Sequence, residues 1–162
     1  MIDNILMLEA RALTFVMQNL PDAGIILVDQ AAAFPTLSRH FLLWVLRKMR
    51  VPRFFRRLIK LLYSSGIAII CIKNRLYFSF SPSSGVKQGD PSAMVLFVLS
   101  FDPILRFIAN RISVFDAYPF AYCDDLGIAT PVLACTWRVL MQIFVIVKKI
   151  SSLCINIRKI MF

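Results

Sequence analysis

Three acidic residues sit where their types and spacing could do chemistry together. Asp124 and Asp125 stand side by side in FAYCDDLGIAT (120–130), and Asp29 closes the short run IILVD (25–29). Carboxylates clustered without a counter-ion disfavour one another's charged forms. A solvated hairpin turn relieves that cost, and Asp is a common turn residue. A bound divalent cation relieves it as well. Hard oxygen ligands of this kind suit Mg²⁺, with Mn²⁺ as a second fit, held by one or two carboxylates plus water and substrate phosphates. Two such ions about 3.5–4 Å apart stabilise both the attacking and the leaving oxygen of a phosphoryl transfer. By itself the dipeptide leaves both readings open: a polar turn or a cation site.

For the cation reading, the 25–29 run must lie beside the 120–128 hairpin, so that Asp29 approaches Asp124. The surrounding pattern supplies such elements. Residues 3–19 carry apolar side chains at helical spacing until Pro21 and Gly24 interrupt them. IILVD is short and β-branched, as a buried strand is. Ser38 is placed to cap a helix over about 39–50, and Pro52 opens a second over 53–64 that ends near Gly66. IAIICIKNRLYFSFS reads as two strands about a Lys73-Asn74-Arg75 turn, and PSSGVKQGDP as a loop. Pro91 is expected to open a long apolar helix to about Arg111. Residues 132–150 form another helix, and LCINI a last short strand. No internal repeat or low-complexity linker divides the chain, so one α+β domain is expected, with helices packed on one face of a mainly antiparallel sheet.

The 162 residues suffice for one domain with a real core. Nineteen Lys and Arg against nine Asp and Glu leave a formal net charge of +10, which favours polyanionic partners. Hydrophobic residues reach 59% and mean hydropathy +0.72, which calls for a membrane check. The stretch 91–109 is interrupted by Asp102, Pro103 and Arg106, and 131–147 is short and carries Arg138. Both fit helices buried against a sheet better than spans of about 20 residues, and no integral membrane association is expected. The N-terminal MIDNILMLEA lacks a basic region and a cleavage site, so no signal peptide is expected. Cys71, Cys123, Cys135 and Cys154 show no C-x-x-C spacing, and His40, the only histidine, is far from them in sequence; this argues against zinc and a disulfide framework. A reducing, intracellular setting follows, nuclear or nucleoprotein-associated if the source is eukaryotic.

The stretch RKMRVPRFFRRLIK (47–60) concentrates basic charge. Arg53, Arg56, Arg57 and Lys60 share one helical face, with Phe54, Leu58, Leu61 and Leu62 partly opposed to it. Such a stripe can contact a nucleic-acid backbone. A solvated face and an amphipathic membrane-surface helix are the other readings.

The order ILVDQAAAF, SGVKQGDP, FAYCDD, SSLCINIRK resembles that of reverse transcriptases, most closely those of non-LTR retrotransposons and group II introns. DNILMLE resembles the segment before the first catalytic strand of that family, and the resemblance runs over nearly the whole chain. It implies an RNA-directed DNA polymerase palm that carries out two-metal nucleotidyl transfer to a primer 3′-OH. The implied partners are an RNA template, a DNA primer and deoxynucleoside triphosphates.

Position by position, the resemblance implies that Asp29 and Asp124 ligate the metal ions and that Asp125 is the supporting carboxylate. Tyr122 completes the Tyr-x-Asp-Asp box. Phe34 falls at the steric gate, where a ring presses against a ribose 2′-OH; ordinary core packing is its other reading. Gly85, Gln88 and Gly89 match the loop that meets the incoming nucleotide and the template, though alone GVKQGDP is only a loop. Lys159 matches the lysine that protonates the leaving pyrophosphate, and is otherwise a solvated charge.

The chain departs from the family pattern at Pro35, where Asp is frequent, and at Ser92-Ala93-Met94, where a Leu-Ser-Pro-like turn is usual. Against the family's full length, residues 1–162 are expected to be a palm with part of the fingers, incomplete at both ends and without a thumb. The alternative implied by that length is a catalytically inactive remnant that keeps the fold and binds nucleic acid.

Overall fold

The computed structural model describes residues 2–64, 66–123 and 125–156. Asp124 and Lys159, both expected at the site, lie outside them.

The chain is α+β, with antiparallel strand pairs and helices packed on them. Its central sheet has three antiparallel strands in the order β1 (Gly24–Val28), β6 (Asp125–Thr130), β5 (Tyr118–Tyr122). Strand β1 pairs with β6 from Gly24↔Thr130 to Val28↔Leu126, and β5 pairs with β6 from Tyr118↔Ala129 to Tyr122↔Asp125. Side chains alternate across a strand, so this register puts Ile26, Val28, Leu126 and Ile128 on one face. All four are buried there. Their partners are the two long helices α5 (Ala93–Ile112) and α6 (Leu133–Ser151).

Helix α5 has the length and hydropathy of a membrane span. Its most apolar face is nonetheless spent on the domain core. Leu96, Phe97, Phe101, Ile104, Ile108 and Ile112 recur at helical spacing and are buried, with Phe97, Ile108 and Ile112 fully so. The buried hydroxyls in this core are satisfied locally. Ser100 donates to the Leu96 carbonyl at 2.8 Å, and the Thr130 and Thr136 hydroxyls share a bond of 2.7 Å between β6 and α6.

Helix α1 (Ile2–Met17) lies against the opposite face of the sheet. A Cβ built on Gly127 would come within 2.9 Å of Leu8 Cδ2, so the glycine admits the helix. Asn4 donates to the Ala121 carbonyl at 2.8 Å, and the Arg11 guanidinium sits 4.0 Å from the centroid of the Tyr118 ring. The first helix is thereby tied to the strand that leads into the acidic hairpin.

After β1 the chain makes a two-residue strand β2 (Gln30–Ala31) and a one-turn helix α2 (Ala33–Thr36). Ala32, with φ +48°, makes the corner between them. Strand β2 pairs with β7 (Cys154–Ile155), the central part of the expected LCINI strand. Helix α3 (Arg39–Lys48) is capped as expected: the Ser38 hydroxyl accepts from the Phe41 N–H at 3.3 Å. Helix α4 (Arg53–Ser64) follows. Strands β3 (Ala68–Ile72) and β4 (Arg75–Phe80) then form a separate hairpin, turned by Lys73 and Asn74, both at positive φ.

Helix α5 starts two residues later than Pro91 suggests. Asp90 Oδ1 accepts from both the N–H and the hydroxyl of Ser92, and the Asp90 carbonyl accepts from the Ala93 N–H at 3.0 Å. The aspartate therefore makes a side-chain-closed turn that holds Pro91 and Ser92 outside the helix.

Candidate active site

The site lies at the end of the central sheet where β1 finishes and the β5–β6 hairpin turns. The last β1 pair is Val28↔Leu126, so Asp29 and Asp125 each stand one step beyond it on adjacent strands. Two of the three acids flagged by the sequence thus reach the same edge from positions nearly a hundred residues apart. Tyr122 is exposed and pairs with Asp125 across the hairpin. Cys123, at φ +53°, begins the reversal. Asp125 already belongs to β6.

A residue that sequence reasoning passed over orients the first carboxylate. The Asn156 N–H donates to the Asp29 carbonyl at 2.8 Å, and Asn156 Nδ2 donates to Asp29 Oδ2 at 3.3 Å. The β2–β7 pair brings Asn156 there, since Gln30 opposes Ile155. The signal was present in LCINI, whose one amide residue, Asn156, interrupts an apolar run, but the pairing partner could not be read from that stretch. Among the described residues no group of three or more His, Cys, Asp or Glu side chains gathers, and the described acids at this edge are Asp29 and Asp125. Their donor set is oxygen only, with one carboxylate oxygen of Asp29 already oriented by an amide. That chemistry fits a hard divalent cation.

A second cluster joins Phe34 to the glycine loop. The Gly85 N–H donates to the Leu37 carbonyl at 2.8 Å, the Val86 N–H to the Phe34 carbonyl at 2.9 Å, and the Ser84 hydroxyl to the Pro35 carbonyl at 3.0 Å. The loop lies directly on α2. Gly85 is required by this approach: its φ is +78°, and a Cβ there would stand 2.4 Å from the Pro35 carbonyl oxygen. Phe34 is half-buried, and its ring stacks on Phe97 with centroids 4.7 Å apart. It therefore packs on the core while it borders the loop. Gln88 and Gly89 are exposed, and Gly89, at φ +87°, faces open space.

The Asp90 carboxyl just beyond them is held below its usual range. The Ser92 backbone N–H contributes most, followed by the Ser92 hydroxyl and the Tyr63 hydroxyl. The Tyr63 phenol is pushed above its ordinary value, first by burial and then by its bond to Asp90, 2.8 Å long.

The basic helix α4 presents Arg53, Arg57 and Lys60 to solvent, whereas Arg56 is half-buried and donates from Nε to the Val51 carbonyl at 3.0 Å. Its anchoring face differs from the expected one. Tyr63 is buried and Ile59 partly so, one turn apart, while Phe54, Leu58, Leu61 and Leu62 remain exposed. Periodicity identifies an apolar face but not whether a neighbour covers it.

A family model described as Reverse transcriptase (RNA-dependent DNA polymerase) matches residues 5–162, from the first turn of α1 through the Asn156 segment. A search of curated proteins gives no significant match. With nearly its whole length inside that match, the chain belongs to the reverse transcriptase (RNA-dependent DNA polymerase) family.

Proposed function

We propose that this chain is the palm, with part of the fingers, of a retroelement RNA-directed DNA polymerase that extends a DNA primer on an RNA template. The convergence of Asp29, Asp125 and Asn156 at one sheet edge carries this reading. Asp29 and Asp124 would hold Mg²⁺, or Mn²⁺ in its place. Bound there, the metal would supply charge neutralisation at the reacting phosphate and at the attacking and leaving oxygens.

The remaining work falls to the chain's own groups. Asn156 fixes the rotamer of Asp29, so that carboxylate needs little reorganisation on binding. The pairing of Asp125 with Tyr122 holds the hairpin in shape. The half-buried Phe34 ring, stacked on Phe97, would exclude a ribose 2′-OH and so favour deoxynucleotides. Gly85 lets the loop approach α2, which leaves Gln88 and Gly89 to meet the base and sugar of the incoming nucleotide. Lys159 would deliver a proton to the departing pyrophosphate. Arg53, Arg57 and Lys60 would contact template or primer phosphates, and Arg56 adds charge while it fixes the start of the helix.

Primer extension with an RNA template and Mg²⁺ tests the proposal. Asp29→Ala and Asp124→Ala are each expected to abolish extension; full extension by Asp124→Ala would show the site assignment to be wrong.

A further inference from the structure

The loop carrying Gln88 and Gly89 is fastened at both ends by side chains outside the motifs. Upstream, Arg39 Nε donates to the Gly85 carbonyl at 3.0 Å. Its Nη1 donates to the Pro82 carbonyl at 2.7 Å and to the Tyr63 carbonyl at 2.5 Å. One guanidinium therefore joins the first turn of α3, the last turn of α4 and the loop. Downstream, the buried Tyr63 hydroxyl donates to Asp90 Oδ2 at 2.8 Å, and Asp90 Oδ1 holds Ser92 at the start of α5. Between these ends Lys87 donates to the Leu62 carbonyl at 2.8 Å, which ties the loop to α4 a third time.

The chemistry of Arg39 suits this role. Its planar fork presents donors in a fixed geometry, so it can bridge three carbonyls from two segments at once. Without it, the Gly85 and Pro82 carbonyls must turn to water, and the loop regains conformational freedom that ligand binding would have to remove.

We propose that Arg39, together with the Tyr63–Asp90 pair, is a positioning device that holds the Gln88–Gly89 turn ready for the incoming nucleotide. The inference rests on the nucleotide-facing reading of that loop given above. It predicts an effect on nucleotide affinity rather than on the chemical step, because no group of the device reaches the acidic edge in the contacts described.

Two measurements on the full chain separate this inference from the polymerase reading. Hydrogen exchange at the hydrogen-bonded amides of Gly85, Val86, Asp90 and Ser92 needs no turnover. Arg39→Ala is expected to speed it by at least about tenfold, with α5 amides unchanged. Arg39→Lys is expected to fall between that variant and wild type, because one ammonium cannot reproduce the fork. In steady-state primer extension, Arg39→Ala is expected to raise KM for the deoxynucleotide about tenfold and to leave kcat within about twofold. If Arg39→Ala fails to fold, Arg39→Lys and Tyr63→Phe carry the same comparison. Exchange within about twofold of wild type would overturn the inference. So would a loosened loop with an unchanged KM. A chain joined to fingers and thumb segments that still extends no primer would sink the polymerase reading alone, and the exchange arm would still decide whether Arg39 holds the loop.

Discussion

Asn156 grips Asp29 at two points, through its N–H to the Asp29 carbonyl at 2.8 Å and through its side-chain amide to Oδ2 at 3.3 Å. The backbone bond fixes where Asp29 stands, and the side-chain bond fixes where its carboxylate points. These roles come apart on mutation. Asn156→Ala keeps the backbone bond and loses the other, worth about 1 kcal/mol at that length. A fall of about fivefold in kcat is expected, with little change in the thermal midpoint. Asn156→Asp replaces the donor with a second carboxylate. It should reduce kcat further and move the pH optimum upward, because the added charge raises the carboxyl pKa values at the site. A pH series of primer-extension rates for the three proteins checks both outcomes.

The two loop glycines should respond differently to the same substitution. Gly85→Ala combines a positive φ with a 2.4 Å approach to backbone that cannot yield, and is expected to cost about 2–5 kcal/mol. Gly89→Ala has the positive φ and open space, and is expected to cost about 1–2 kcal/mol. Denaturant midpoints of the two variants measure the difference. Equal midpoints would mean that the loop does not sit on α2.

The Tyr63–Asp90 bond makes the fold sensitive to pH at both extremes. Asp90 is depressed in the folded state, so its contribution is present above the ordinary carboxylate range and is lost as pH falls through its lowered value. Tyr63 is raised, so its contribution is present below the ordinary phenol value of about 10 and is lost as pH rises through the raised one. Between those limits neither group adds a pH dependence. Tyr63→Phe should flatten the alkaline fall in the unfolding midpoint, and Asp90→Asn the acid fall. A Tyr63→Phe alkaline limb identical to wild type would contradict the bond.

The exposed cations of α4 should act through charge alone. Replacing Arg53, Arg57 and Lys60 together by Gln should lower the slope of log K against log salt by about 2 for single-stranded RNA, if each neutralises one phosphate. Arg56→Gln should instead lower stability, because its Nε holds the Val51 carbonyl. Fluorescence anisotropy across a salt series, beside a thermal melt, separates the two kinds of arginine.

Much of this was legible in the sequence where the deciding interactions are local. The Ser38 cap and the Lys73-Asn74 turn depend on residues within a few positions, and both stand as read. Asp29 at a strand end and the acidic hairpin were legible from β-branched runs and their punctuation. The start of α5 was misjudged because proline is read as a helix opener, whereas the Asp90 side chain closes a turn around it first. The β2–β7 pair, two residues long, gives no periodicity to detect, and with it the link from Asn156 to Asp29 was hidden. Arg39 was hidden for a related reason: an arginine beside a helix cap looks like a surface charge until three carbonyls from distant segments meet it.

The link between Asn156 and Asp29 spans 127 positions, and the β1–β6 ladder beside it is nearly as non-local. Contacts of such separation repay the entropy of closing the chain only late, so topologies built on them fold slowly. The β5–β6 hairpin that carries Asp125 can close from neighbours alone, but Asp29 joins it only through long-range pairing. During synthesis Asp29 emerges early and waits, unoriented, until the last described strand arrives. The orientation of Asp29 is thereby made conditional on the chain having closed upon itself.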